Sequence, residues 1–97
     1  MSSIHEIQAA VCRQFGTAPI EMVSPRKSAA VSLPRQVAMY LCRVLTPYSS
    51  PTISRQFGDR HHTTVLYACK IVAGRLQIDP DLAAKVAAIK QEIDKAA

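Results

Sequence analysis

The sequence predicts an all-α fold, a small bundle of five to six helices containing a helix-turn-helix. Three observations carry that prediction. Apolar residues recur at helical spacing in segment after segment, and no stretch alternates as a strand would. Proline, glycine and serine punctuate the chain at short intervals, cutting it into brief helices. Alanine is abundant and tryptophan absent, a mix suited to small helices packed closely. At 97 residues the chain supports one domain, residues 1–97. A domain of this size buries somewhat over ~60% of its unfolded surface. An apolar content of 48% makes it globular and not disordered.

Segment one, Ile4 to Phe15, places Ile4, Ile7, Val11 and Phe15 on one face. Ser3 and Glu6 have the spacing of a capping box, and Gly16 ends the helix. "IEMV" can make one turn before Pro25, and "SPRKSAAVS" reads as a surface loop with two adjacent basic residues. Segment two runs from Leu33 or Pro34 to Leu45, capped by Ser32, with Val37, Leu41, Val44 and Leu45 inward; Thr46-Pro47 stops it. Segment three is short: Ser50 caps, Pro51 takes the first helical position, Ile53 and Phe57 point inward, and Gly58 ends it. Segment four runs from about His61 to Leu76, with Val65, Cys69, Val72 and Leu76 on one face and Leu66 beside them. Segment five opens on Asp79-Pro80 and repeats the same spacing with Leu82, Val86, Ile89 and Ile93.

Charge is more informative in its placement than in its sum of +5. Between Ser24 and Arg75 stand eight lysines and arginines against Asp59 alone, a balance of +7; the flanks carry four basic and six acidic residues. A basic middle between mildly acidic ends points to a polyanion partner. The three cysteines, Cys12, Cys42 and Cys69, have no short spacing and read as reduced core thiols. No signal peptide opens the chain, and no apolar run approaches a membrane span, so the expected location is the cytoplasm, with no membrane partner.

Segments three and four, residues 50–76, form the helix-turn-helix pattern. In such a unit the second helix enters the major groove of double-stranded DNA and presents its first turn to base edges. "FGDRHHTTVLYACK", residues 57–70, has the chemistry for it. A helix start offers free N–H groups and a positive dipole end. Threonine hydroxyls bond bases or phosphates, and histidine donates to base acceptors. Rival readings are weaker. A zinc site from His61 or His62 with Cys69 lacks paired ligands, and no metal or cofactor is expected. A hydrolase on Cys69 or His62 lacks a base, an orienter and a pocket, so the chain reads as no enzyme. The serious alternatives are a helical protein-interaction or dimerisation module built on segment five, or a transcriptional regulator with a diverged DNA site.

"FGDRHHTTVLYACKIV" resembles the signature of the C-terminal DNA-binding domain of DnaA, the bacterial replication initiator, where the pattern runs F-G-G-R-D-H-T-T-V-L-H-A before a basic residue. "RKSAAVSLPRQVAMYLCRVLT" is similar to that family's basic loop and Pro-Arg-Gln helix start, and "SSPTISRQFG" to the first helix of its helix-turn-helix; the likeness covers Ile4 to about Ile93. The resemblance implies base reading by His61, His62, Thr63, Thr64 and Pro51. It implies backbone contacts by Arg35, Gln36 and Arg43, to which the local chemistry adds Arg60 and Lys70, and a minor-groove approach by Arg26 and Lys27. It implies double-stranded DNA at a replication origin as partner, with replication proteins or a second copy of the chain as further candidates, and association with the nucleoid. Three departures stand out: His61 for an aspartate, Lys27 for an arginine and Asp59 for a glycine. The ATPase module that precedes this domain in the initiator has no G-x-x-x-x-G-K-[ST] counterpart here. The opening "MSSIHEI" favours a small stand-alone protein over an excised domain.

Overall fold

A computed structural model describes residues 3–96. The described residues form five α-helices: α1 (Ile4–Phe15), α2 (Ala29–Leu45), α3 (Ser50–Arg55), α4 (His62–Leu76) and α5 (Pro80–Ala96). A single 3-10 turn, Pro19–Met22, lies between α1 and α2, and no strand occurs among the described residues. α2 and α4 make the broadest packing in the molecule; α1 covers α2 on another side, α3 closes against α4, and α5 lies along α1. One continuous core results, with Ile7, Val11, Val37, Leu41, Ile53, Phe57, Val65, Val72 and Ile89 fully buried.

Local signals set most helix ends. Ser3 Oγ accepts from Glu6 N at 3.1 Å, and Gly16 ends α1 in the left-handed conformation. Asp79 caps α5, with Leu82 N–H donating to its carboxylate at 3.0 Å. α3 is capped one residue earlier than the sequence predicts: Ser49 Oγ accepts from Thr52 N at 3.3 Å, while Ser50 is buried as the first helical residue.

The larger difference is at α2, which starts at Ala29 and not near Leu33, leaving Pro34 in its second turn and shortening the basic loop. The extra turn buries Val31, and Ser32 Oγ turns back to bond Lys27 O at 3.0 Å instead of capping. Pro34 lies beyond the first turn, since Ser32 N already bonds Ser28 O at 2.9 Å, so its missing N–H forfeits one intrahelical bond. Val44, predicted inward, is 51% exposed. α2 packs on α1 and α4 at once, so its buried arc centres on Ala38 and Cys42, and Val44 falls at the arc's edge. Leu66 is likewise exposed at the surface of α4. On α5, Leu82, Val86, Ile89 and Ile93 are all spent on the internal core, so the apolar face that the sequence offered for a second copy is covered within the chain.

The turn between α3 and α4 is the tightest passage. Gly58 has φ +83, and a Cβ there would sit 2.5 Å from the Val23 carbonyl oxygen. Only glycine satisfies both the backbone angle and the approach. Asp59 follows at φ 53, a conformation aspartate tolerates better than most residues. Gly58→Ala is expected to lower stability by more than about 2 kcal/mol in urea denaturation, from left-handed strain and the backbone clash together. At the opposite end of the bundle, the Leu82 N–H and then Arg75, paired at 3.2 Å, hold the Asp79 carboxyl below its ordinary range. Its contribution is therefore complete above the ordinary carboxylate value and disappears as pH falls through the lowered one. Acid unfolding should be steeper below about pH 4 for the natural chain than for Asp79→Asn, which caps without titrating.

Candidate nucleic-acid interface

The first turn of α4 stands in solvent. His61, His62, Thr63 and Thr64 are all exposed, whereas Val65 behind them is fully buried. No acidic residue occurs in that turn. His61 is the N-cap: its Nδ1 accepts from Thr63 N at 3.3 Å and lies 2.7 Å from Thr63 Oγ1. The imidazole thus fills the capping role that an aspartate would fill there. Its ring packs on that of His62, centroids 4.4 Å apart at 32°. The hydroxyl of Thr64 makes no hydrogen bond among the described residues and is open to a ligand.

Beside this turn runs a shallow cleft whose walls come from three elements: Lys27 of the basic loop, Ser32 and Gln36 of α2, and Thr64 and Tyr67 of α4. The inner arginines, Arg35 and Arg60, also line it. The structure thereby brings together five of the residues singled out from sequence: Lys27, Arg35, Gln36, Arg60 and Thr64. Pro51, Arg43 and Lys70 are exposed but lie outside the cleft lining. Tyr67, which also lines the cleft, is not among the residues singled out from sequence. At 60% exposure it is a surface residue, one helical turn beyond Thr64, and the three-residue spacing was the available signal.

Arg35 requires a correction. Expected to hold phosphate, it is only 5% exposed. Its Nε and Nη2 donate to Glu21 O at 3.0 and 2.6 Å, Nη1 donates to Arg26 O at 2.9 Å, and Nη2 also reaches Ser24 Oγ at 3.3 Å. The guanidinium is a strut beneath the basic loop, with four of its five N–H donors bonded inward. Burial, and then the nearby Arg60 charge, pull its pKa below the ordinary arginine value. Arg60, expected to reach the DNA backbone, also turns inward: Nη2 donates to Ser24 O, and Nε is buried without a partner among the described residues. Arg26, itself exposed, pairs at 2.5 Å with the largely buried Glu21 carboxylate, leaving Lys27 as the loop's exposed cation with no ion pair among the described residues.

Other chemistry finds little support in the geometry. Burial pushes the Cys42 thiol up to about 12 and raises Cys12 and Cys69, so these sulfurs are core atoms with little thiolate character. No three His, Cys, Asp or Glu side chains are grouped to hold a metal among the described residues. No helix among them is long and apolar enough to cross a membrane. Arg35→Met should keep the apolar stem but strand two loop carbonyls and a hydroxyl. A stability loss of about 2–4 kcal/mol is expected, measured by chemical denaturation.

Comparison with known proteins agrees with this architecture. The family described as "Bacterial dnaA protein helix-turn-helix" matches residues 4–72. The chromosomal replication initiator protein DnaA of Sphingopyxis alaskensis is 45% identical over 92 residues, covering 95% of this chain and 20% of that protein. Its counterpart in Bartonella quintana is 43% identical over 94 residues, covering 97% of this chain and 19% of that protein. The match to Rhodopseudomonas palustris DnaA is 41% over 92 residues. The chain thus spans about a fifth of the length of these relatives, 20% in the Sphingopyxis case. With a five-helix bundle, a glycine turn between α3 and α4 and a family match over most of its length, the chain belongs to the bacterial DnaA helix-turn-helix family.

Proposed function

We propose that this chain binds double-stranded DNA with sequence preference, as a non-enzymatic module acting at DnaA-box-type sites in replication initiation or its regulation. The observation that carries the reading is the solvent-facing, acid-free first turn of α4, His61 to Thr64, on a family helix-turn-helix. Placed in a major groove, that turn presents imidazole and hydroxyl groups to base edges, and the helix dipole favours the adjacent phosphates. Pro51, exposed at the start of α3, fits the groove edge. Exposed Arg43 and Lys70 and half-buried Gln36 supply phosphate contacts. Lys27 on the basic loop is the minor-groove group. The printed name of the relatives, chromosomal replication initiator, supports the replication setting, and with it a cytoplasmic, nucleoid-associated location. Among the described residues no observation favours a dimer or a protein partner over DNA.

His61 in place of the family's aspartate alters what the turn can read. A carboxylate accepts from cytosine N4, whereas His61 Nδ1 is already engaged by Thr63, leaving the ring's other nitrogen for DNA. The preferred site is therefore expected to differ from the family's at the corresponding base pair.

Selection of bound fragments from a random duplex pool at physiological salt tests the proposal. A recurrent motif whose affinity falls with salt at a log-log slope near −0.9 per phosphate contact is the expected result. Binding that is absent, or indifferent to both sequence and salt, would overturn it. On the selected site, Thr63→Ala should cost about 1–3 kcal/mol of binding and relax preference at one position, leaving random DNA unaffected. Arg43→Ala should weaken selected and random duplexes alike and reduce the salt slope by about one, as read by titration at several salt concentrations.

A further inference from the structure

The minor-groove loop is not a free arm. Residues Glu21 to Ser28 are fastened from beneath at successive points. Arg35 bonds Glu21 O, Ser24 Oγ and Arg26 O, Ser32 Oγ bonds Lys27 O at 3.0 Å, and Arg60 bonds Ser24 O. The last of these bonds spans 36 residues and comes from the turn of the helix-turn-helix itself. The same turn touches the loop a second time, where Gly58 lies so close to Val23 O that a Cβ would come within 2.5 Å. Lys27 and Thr64 both line one cleft.

We infer that Arg60 is a positioning residue for DNA recognition: by holding Ser24 O it sets the loop that carries Lys27 in register with the base-reading turn of α4. This inference rests on the DNA-binding reading above and deepens it. Arg60 sits immediately before the N-cap of α4, so any rotation of that helix start moves its guanidinium and, through Ser24, the loop three residues before Lys27. One Nη is bonded inward and Nε is shielded from solvent, so of its three nitrogens only the other Nη remains for a ligand. A minor-groove reader discriminates A·T from G·C through the guanine N2 amino group and the groove width, so misplacement of Lys27 should be felt at those positions alone.

The test uses the selected duplex and two modified forms of it. Diaminopurine in place of adenine at the A·T pairs flanking the major-groove site adds an amino group in the minor groove and leaves the major-groove edge intact. Deazapurine at the central positions removes an N7 acceptor in the major groove only. The natural chain is expected to lose roughly tenfold in affinity on either modification. Lys27→Ala and Arg60→Met should each lose the diaminopurine penalty and keep the deazapurine penalty. The double variant should bind like Lys27→Ala alone, within about twofold, since both changes break one contact.

Multiplying losses in the double variant would mean that Arg60 touches DNA itself, and would overturn the inference. An undiminished diaminopurine penalty in a folded Arg60 variant would do the same. Should Arg60→Met fail to fold, Arg60→Lys replaces it: it keeps the charge but offers one ammonium in place of the fork, and a reduced diaminopurine penalty is the expected reading. A natural chain that binds the duplex without any diaminopurine penalty overturns the inference and leaves the DNA reading standing; a natural chain that binds no duplex sinks the earlier proposal instead.

Discussion

The arrangement of the candidate interface depends on one buried cation. Arg35 places its guanidinium inside the molecule without a direct ion pair among the described residues; the nearby Glu21 charge favours it, and the carbonyls of Glu21 and Arg26 and the hydroxyl of Ser24 take its hydrogen bonds. An unpaired charge in such a place would be prohibitively expensive. Several short, charge-assisted bonds to carbonyl dipoles make it tolerable. What the protein gains is geometric. A five-donor planar fork anchors three points of a loop that has no secondary structure of its own, and a lysine could not do so with one ammonium. The loop is short because α2 begins early, and α2 begins early because its first turn buries Val31 and is tied back through Ser32.

On that foundation stands the start of α4. A helix N-terminus carries unpaired donors and partial positive charge, and a buried one must be capped from within the protein. Here the end is exposed, one donor is met by His61, and the surrounding turn holds hydroxyls and imidazoles in place of carboxylates. The one acidic group of the basic region, Asp59, occupies the left-handed turn position where a glycine would leave no charge. The core behind, with Val65, Ala68 and Val72 buried, fixes the helix so that its polar turn is presented rigidly. Contacts made by a preorganised surface lose less to ordering on binding, which under the proposed reading lets a domain of this size hold a sequence preference.

Much of this was legible in the order of residues, for reasons that are local. Ser3, Gly16, Asp79-Pro80 and the apolar spacing of Val65, Cys69 and Val72 place helix ends and faces because capping and 3.6-residue periodicity involve only near neighbours. The local signal fails where a competing partner or the packing of neighbouring helices overrides it. Ser32 has the chemistry of a cap, but Lys27 O claims its hydroxyl. Val44 has the spacing of a core residue, but α2 is shared between two neighbours and its buried arc turns toward Ala38.

The arginines show the division most clearly. Sequence by itself determined that the chain is all-helical, that its middle is basic, and that a polar turn opens the helix after Gly58, because composition, periodicity and capping need no knowledge of the fold. Which basic side chains face outward was decided only in three dimensions. Arg35 and Arg43 are indistinguishable as residue types on one helix, yet the first is buried against carbonyls 9 and 14 residues away and the second is exposed. Whether an arginine is a strut or a contact depends on which backbone oxygens the packed helices bring within its reach, and packing, not spacing, sets that distance.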